Sequence, residues 1–315
     1  MTAFITPLSQ TASLLIFILL GYLLGKFRLV PENAHTTLSR LETNLFVPAL
    51  VLSIFIANFT TEKLTIAWQL LLGSCGLLLA GVGLSLLLCR ICAKDKYEQN
   101  ISLYGLVFPN FGFVGNALVG ALFPDMFLEY MIFTLPFWTL IYLWGVPVVL
   151  MEDAGKKATW KDRLKNFLNP MLICMFLGMI IGILNIPVPA FISSAVSAAG
   201  NCMSPVAMLL TGMTIARYDL KNILKVKSIY IASFLRLILY PAIFLALLVI
   251  FPMPATFATC ALCLLSMPLG LNPIVIPGAL GKDTSVASGM ALVSHLAGCI
   301  TIPIMLMLFT FITGQ

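Results

Sequence analysis

Charge is the scarcest property of this 315-residue chain: 10% of its residues are charged, where a soluble domain carries about a quarter. With 60% hydrophobic residues and a mean hydropathy of +1.05, no stretch reads as a separate soluble domain. Acidic residues avoid the apolar runs, and all 12 lie in loops or near run ends. A sodium/proton antiporter normally carries its cation on a buried carboxylate, so that chemistry is not expected. Sodium held by carbonyls and hydroxyls stays open, as does a proton moved on the substrate or on His295. Enzyme signatures are missing too. There is no Gly-x-Ser-x-Gly, His-Glu-x-x-His or phosphate-binding loop, so the chain is read as a non-enzyme with no cofactor and no metal. The cysteine pairs Cys89/Cys92 and Cys260/Cys263 have metal-like spacing, but no histidine or carboxylate is near them in sequence, and they read as helix packing. The first apolar run lacks a basic flank before it and has Lys26 and Arg28 after it, the reverse of a signal peptide, so it reads as a retained helix.

What the chain has in abundance is apolar runs of membrane-spanning length. Ten are expected, at roughly 8–28, 41–58, 65–89, 101–123, 127–150, 168–186, 197–216, 228–251, 256–280 and 286–312. Basic residues gather in alternate loops: Lys26, Arg28 and Arg40; Arg90, Lys94 and Lys96; Lys156 to Lys165; Arg217 to Lys227; and Lys282. The other side has Lys63 alone. The side rich in lysine and arginine is cytoplasmic by the positive-inside rule, which places both termini outside. The net charge of +6 therefore belongs to membrane orientation, and no nucleic-acid partner is expected.

Two runs are interrupted. Span nine contains Pro268-Leu-Gly-Leu-Asn-Pro273, and span four contains Pro109-Asn110-Phe111-Gly112. Proline removes a backbone donor and clashes with the preceding turn, so both spans are expected to break near their middles. At an offset of about 157 residues Gly21 matches Gly178, Gly25 matches Gly182, Asn44 matches Asn201 and Pro48 matches Pro205. Each unit then holds five spans, an odd number, and the two insert in opposite orientations. The expected organisation is a first five-helix repeat over 1–150, a cytoplasmic linker over 151–167 and a second, inverted repeat over 168–315. Paired broken helices in inverted repeats point to a transporter with its binding site at the breaks. A receptor or scaffold would not need them, and a channel would suit a pore-lining polar ring, whereas inverted repeats with paired breaks favour alternating access.

Asn44-Leu-Phe-Val-Pro48, Pro109-Asn110 with the glycines after it, Asn201 to Pro205, Pro268 to Pro273 and Thr301-Ile-Pro303 resemble the auxin efflux carrier family. That family includes plant auxin exporters and bacterial malate or malonate permeases, and the resemblance covers nearly the whole chain. It implies an all-α membrane protein of ten transmembrane helices in a 5+5 inverted repeat, similar to bile-acid/sodium symporters. Broken helices four and nine would cross at the midplane. It also implies a homodimer formed through scaffold helices. The short linker is more like the bacterial members and implies the cell membrane.

Broken helices expose N-terminal ends that carry partial positive charge and bind anions. Asn110 and Asn272, with Gly112 and Gly270 beside them, are the candidate substrate contacts; the alternative is that each asparagine repairs the broken backbone. Asn44 and Asn201 are weaker candidates, read first as helix repair or packing. Pro109, Pro268, Pro273, Pro48 and Pro205 are the expected helix breaks. Arg236 either balances an anion or snorkels to the headgroups. His295 either relays a proton or packs as a neutral, hydrogen-bonded ring. The expected function is secondary transport of small organic anions, mono- or dicarboxylates, with proton or sodium as the coupling ion. The alternative is a sodium- or proton-coupled transporter of another solute class on the same fold.

Overall fold

The computed structural model describes residues 2–31, 33–59, 64–150, 170–279 and 283–314. The expected linker over 151–167, Lys63 and Lys282 lie outside the described residues. The chain is 85% helical, and no strand occurs among the described residues. This follows from the composition, because a segment that crosses hydrocarbon must satisfy its own backbone groups. Besides the short turns Pro124–Met126 and Leu220–Ile223, the described residues form thirteen helical pieces: α1 (Thr2–Lys26), α2 (Ala34–Asn58), α3 (Leu64–Cys92), α4 (Lys96–Val107), α5 (Phe111–Leu122), α6 (Phe127–Leu140, extended by Ile141–Leu150), α7 (Pro170–Ile183), α8 (Ala190–Asn201), α9 (Met203–Ile215), α10 (Lys227–Ile250), α11 (Ala255–Leu265), α12 (Asn272–Ala279) and α13 (Ser285–Thr313).

Among the described residues, 7 helices are long and apolar enough to cross a membrane, counting α8 and α9 as one. Three more apolar helices are shorter: α5, α7 and α11. Two of those short pieces, α5 and α11, lie beside the interruptions at Pro109 and Pro268. The chain therefore breaks where its prolines and glycines cluster.

Pro48 and Pro205 behave differently from the expectation that they break helices. Pro48 lies inside the continuous α2, two residues past a π-wound turn at Glu42–Phe46. A proline ring clashes with the carbonyl four residues back, here that of Asn44. Winding that turn to i→i+5 moves the carbonyl aside and leaves the helix unbroken. Pro241 in α10 repeats the device, following a π-wound turn at Leu235–Leu239. Pro205 falls in the first turn of α9, where its missing N–H would have had no partner. The interruption there is a single turn at Cys202, three residues earlier.

A second difference concerns where α2 begins. Hydropathy places its start near residue 41, yet the helix starts at Ala34. The polar run His35 to Arg40 hides the first two turns from an apolar count. Glu42 is consequently well inside the helix, and it is 1% exposed. Glu129, in the first turn of α6, is 6% exposed. Position near a run end therefore does not keep these two carboxyls out of the interior.

Two long helix pairs organise the rest. Helix α1 lies along α9, and the second half of α2 lies along α7. A Cβ at Gly21 would collide with the Leu209 carbonyl, and one at Gly25 would meet Ala216. In the other pair, Gly178 abuts Leu52 and Phe55, and Gly182 abuts the Phe55 and Phe59 carbonyls. Gly21 and Leu209 are offset by 157 from Gly178 and Leu52 in opposite directions, so the two pairs use the same residues in exchanged roles. Small residues let backbones approach this closely, which is how helices gain packing energy in lipid.

Candidate functional site at a crossing of two broken helices

The two breaks meet. The N–H of Asn110 donates to the Pro268 carbonyl at 2.7 Å, and Pro109 pairs with Leu269 in a single antiparallel bridge. Backbone groups freed by each break thus find partners in the other, as a hydrocarbon setting requires. Glycine at 270 permits the approach, since a Cβ there would lie 2.5 Å from the Phe108 carbonyl. Ser294, on α13, accepts a hydrogen bond from the Leu269 N–H at 3.3 Å.

Four half-helix ends converge at this point, and they sort by polarity. Helices α4 and α11 arrive with their C-terminal ends, which carry unpaired carbonyls and partial negative charge. Arg236, from the π-wound turn of α10, sits between them at 1% exposure. Its Nη1 donates to the Leu106 carbonyl at 3.0 Å, its Nη2 to Leu264 at 2.9 Å and its Nε to Met267 at 3.3 Å. Its guanidinium carbon also lies 5.2 Å from the Tyr240 ring centroid, and the Tyr240 hydroxyl shares a hydrogen with Ser85 at 2.7 Å. The arginine neither snorkels nor faces a cavity. It cross-links the two negative ends.

Helices α5 and α12 leave with their N-terminal ends, and each starts at an asparagine. The Asn110 side-chain oxygen accepts from the Phe113 N–H at 3.3 Å, a capping bond, while its Nδ2 donates to His295 Nε2 at 2.8 Å. His295 Nδ1 donates to the Ala291 carbonyl at 2.7 Å, so the two bonds together specify a neutral ring with its hydrogen on Nδ1. Asn272 Nδ2 donates to the Tyr104 hydroxyl at 2.6 Å.

Asn110, Gly112, Gly270 and Asn272 line one small cavity of about 20 Å³, together with Tyr104, Trp138 and the aromatic rings of Phe108, Phe111 and Phe113. That volume is about one water. Pro109 lines it too, while Pro268 lines a neighbouring cleft with His295. Pro273 follows Asn272 in the first turn of α12.

Asn44 and Asn201 are not brought to the cavity. Asn44 is exposed and turns back on its own helix, donating to the Arg40 carbonyl at 2.8 Å and to Thr43 Oγ1 at 3.2 Å. Asn201 is exposed at the end of α8.

Sequence reasoning passed over Tyr104 and Ser204. Ser204, on α9, donates to the Phe113 carbonyl at 2.9 Å and ties that helix to the start of α5. Tyr104 sits one turn before a break, which was the available signal. Ser204 had none, because its partner is 91 residues away.

The sequence pattern of a family described as membrane transport protein matches residues 7–306, nearly the whole chain. No curated protein matches it.

Proposed function

The chain belongs to the membrane transport protein family, that of the auxin efflux carriers, and on that premise we propose that this multi-pass membrane protein is a secondary transporter of small organic anions, mono- or dicarboxylates, bound beside the crossing. In this reading ten spans form two inverted five-helix units, 1–150 and 168–315, with both termini outside the cell membrane. The exchanged roles of the glycine pairs Gly21/Gly178 and Gly25/Gly182 support the inverted relation. A linker over 151–167 joins the units on the cytoplasmic side.

The observation that carries the substrate class is the sorting of helix ends. Arg236 occupies the two negative ends and compensates them. The two positive ends keep only neutral asparagine beside them, next to a shared cavity. The uncompensated field there is positive, which suits a carboxylate. Each asparagine amide has two hydrogens and spends one on His295 or Tyr104, leaving the other for a ligand oxygen. Neutral donors hold an anion without trapping it. The cavity is too small for an organic acid, so loading requires the halves to separate, as alternating access supplies.

Counterflow in proteoliposomes tests this. Vesicles are loaded with unlabelled malate, malonate, lactate or indole acetate in turn, with and without a sodium gradient, and entry of the matching labelled acid is followed. Saturable exchange of one acid is the expected result. Absence of exchange with every acid, from folded and inserted protein, would favour transport of another solute class on the same fold.

A further inference from the structure

Glu42 has no role in the site just described, and it is the most isolated acid among the described residues. It is 1% exposed, and neither carboxylate oxygen has a side-chain hydrogen-bond partner among the described residues. It lies on the π-wound turn of α2, where helices α7, α8 and α9 pack. Those three helices carry no charged residue and no histidine; their titratable groups are the thiols of Cys174 on α7 and Cys202 at the α8–α9 turn. On α2 itself the neighbours are Arg40, which is exposed, and His35, which bonds to Arg217 and Thr36. The polar group nearest on α9 is the backbone of Ala207, which lies beside the carboxyl and carries no charge.

An acid in such a place has no counter-charge and is accommodated as the neutral, protonated form. Among the described residues no group of three or more histidine, cysteine or acidic side chains gathers around Glu42 to hold a metal ion. Isolated acids inside membrane helices are costly and commonly functional, and π-wound turns recur at functional positions. Helix α9 links this acid to the crossing: Ala207 abuts Glu42, and Ser204, three residues earlier, holds the Phe113 carbonyl at the start of α5.

Resting on the anion-transport reading above, we propose that Glu42 is the proton-binding site that couples transport to the proton gradient, carrying one proton together with the organic anion. The carboxylate takes a proton from water on the proton-rich side to form its O–H bond. That bond breaks to water on the other side once α2 and α9 part there. Packing of α9 against α2 requires the neutral acid. A bound anion disfavours a second negative charge across one helix, so anion and proton promote each other's binding, and by linkage the effect is mutual.

The test uses the full chain in proteoliposomes. Wild type should accumulate labelled acid when the outside is made acidic relative to the inside. E42Q, which keeps the shape and removes the exchangeable proton, should lose that accumulation by about tenfold or more while equal-pH counterflow stays within about threefold. Infrared difference spectra at neutral pH should show a protonated carboxyl band in wild type that E42Q lacks, a readout that needs no substrate. Counterflow in wild type without any response to the pH gradient overturns the coupling role alone, as does gradient-driven accumulation by E42Q or identical carboxyl bands. No counterflow with any acid, in wild type, overturns the function at the crossing and the coupling role with it.

Discussion

Arg236 and Glu42 make an instructive pair. Each is 1% exposed, and each lies on a π-wound turn followed by a proline. Arg236 donates to three carbonyls from two helix ends and stacks near a tyrosine. Glu42 has no side-chain partner among the described residues, only the backbone of Ala207 beside it. The arginine holds a permanent charge among fixed dipoles of opposite sign, so its burial is compensated and it locks the crossing together. The glutamate has no such compensation, and in the proposal above it is buried as the neutral acid. One buried ionisable group is a bolt, and the other is a group whose environment must change when its proton leaves.

That contrast can be broken or sharpened by substitution. Arg236→Met should do the most damage, because it strands three buried carbonyls; a loss of about 3–5 kcal/mol is expected, seen as failure to insert or a large fall in Tm in detergent. Arg236→Lys should recover part of it, since an ammonium cannot reach all three carbonyls in the guanidinium's planar fork. A near-normal Tm for Arg236→Met would mean the helix ends do not depend on it.

Next come Asn110→Ala and Asn272→Ala. Each removes a donor worth about 1–3 kcal/mol at a buried site, so exchange should fall roughly ten- to hundredfold. Both should also lower Tm by about 1 kcal/mol equivalent or more, Asn272→Ala by stranding the buried Tyr104 hydroxyl and Asn110→Ala by removing a helix cap. Normal substrate affinity in both variants would remove these residues from the site.

Gly21→Leu and Gly178→Leu should each cost about 1–3 kcal/mol, Gly21→Leu the more, because a Cβ there runs into the Leu209 backbone carbonyl whereas one at Gly178 meets the Phe55 side chain first. A smaller loss of thermal stability for Gly21→Leu than for Gly178→Leu would count against this reading of the two contacts.

The smallest change is expected from Glu42→Gln. Replacing a neutral acid by a neutral amide should shift stability by less than about 1 kcal/mol, with Tm becoming less sensitive to raised pH. A large fall in Tm would show that Glu42 makes a contact like that of Arg236.

Much of the architecture was legible in the linear sequence. Runs of apolar residues announce membrane helices because hydrocarbon leaves the backbone no alternative. Pro109 and Pro268 announce breaks because proline has no N–H to give. Gly21 and Gly178 announce close contacts only once the 157-residue offset pairs them. The places where sequence reasoning diverged share a cause. Asn44 and Asn201, read first as helix repair or packing, could not be separated fully from Asn110, because local spacing does not say which amides face the crossing. Pro48 looked like Pro109 because nothing local reports that a π-wound turn will absorb the proline. Glu42 looked like a loop-edge residue because the polar stretch before it concealed two turns of helix.

Composition and periodicity by themselves therefore determined the class of molecule, the sites of helix interruption and the small residues at helix contacts. These depend on each residue's own backbone chemistry and on water's exclusion from lipid. Tertiary structure alone decided that the two breaks bond to each other, that Arg236 closes the negative ends and that Asn110 and Asn272 share a cavity. It also decided that Glu42 is buried without a side-chain partner among the described residues. Each of those facts depends on groups many residues apart arriving at one point, and the energy of a buried polar group is set by what it meets there.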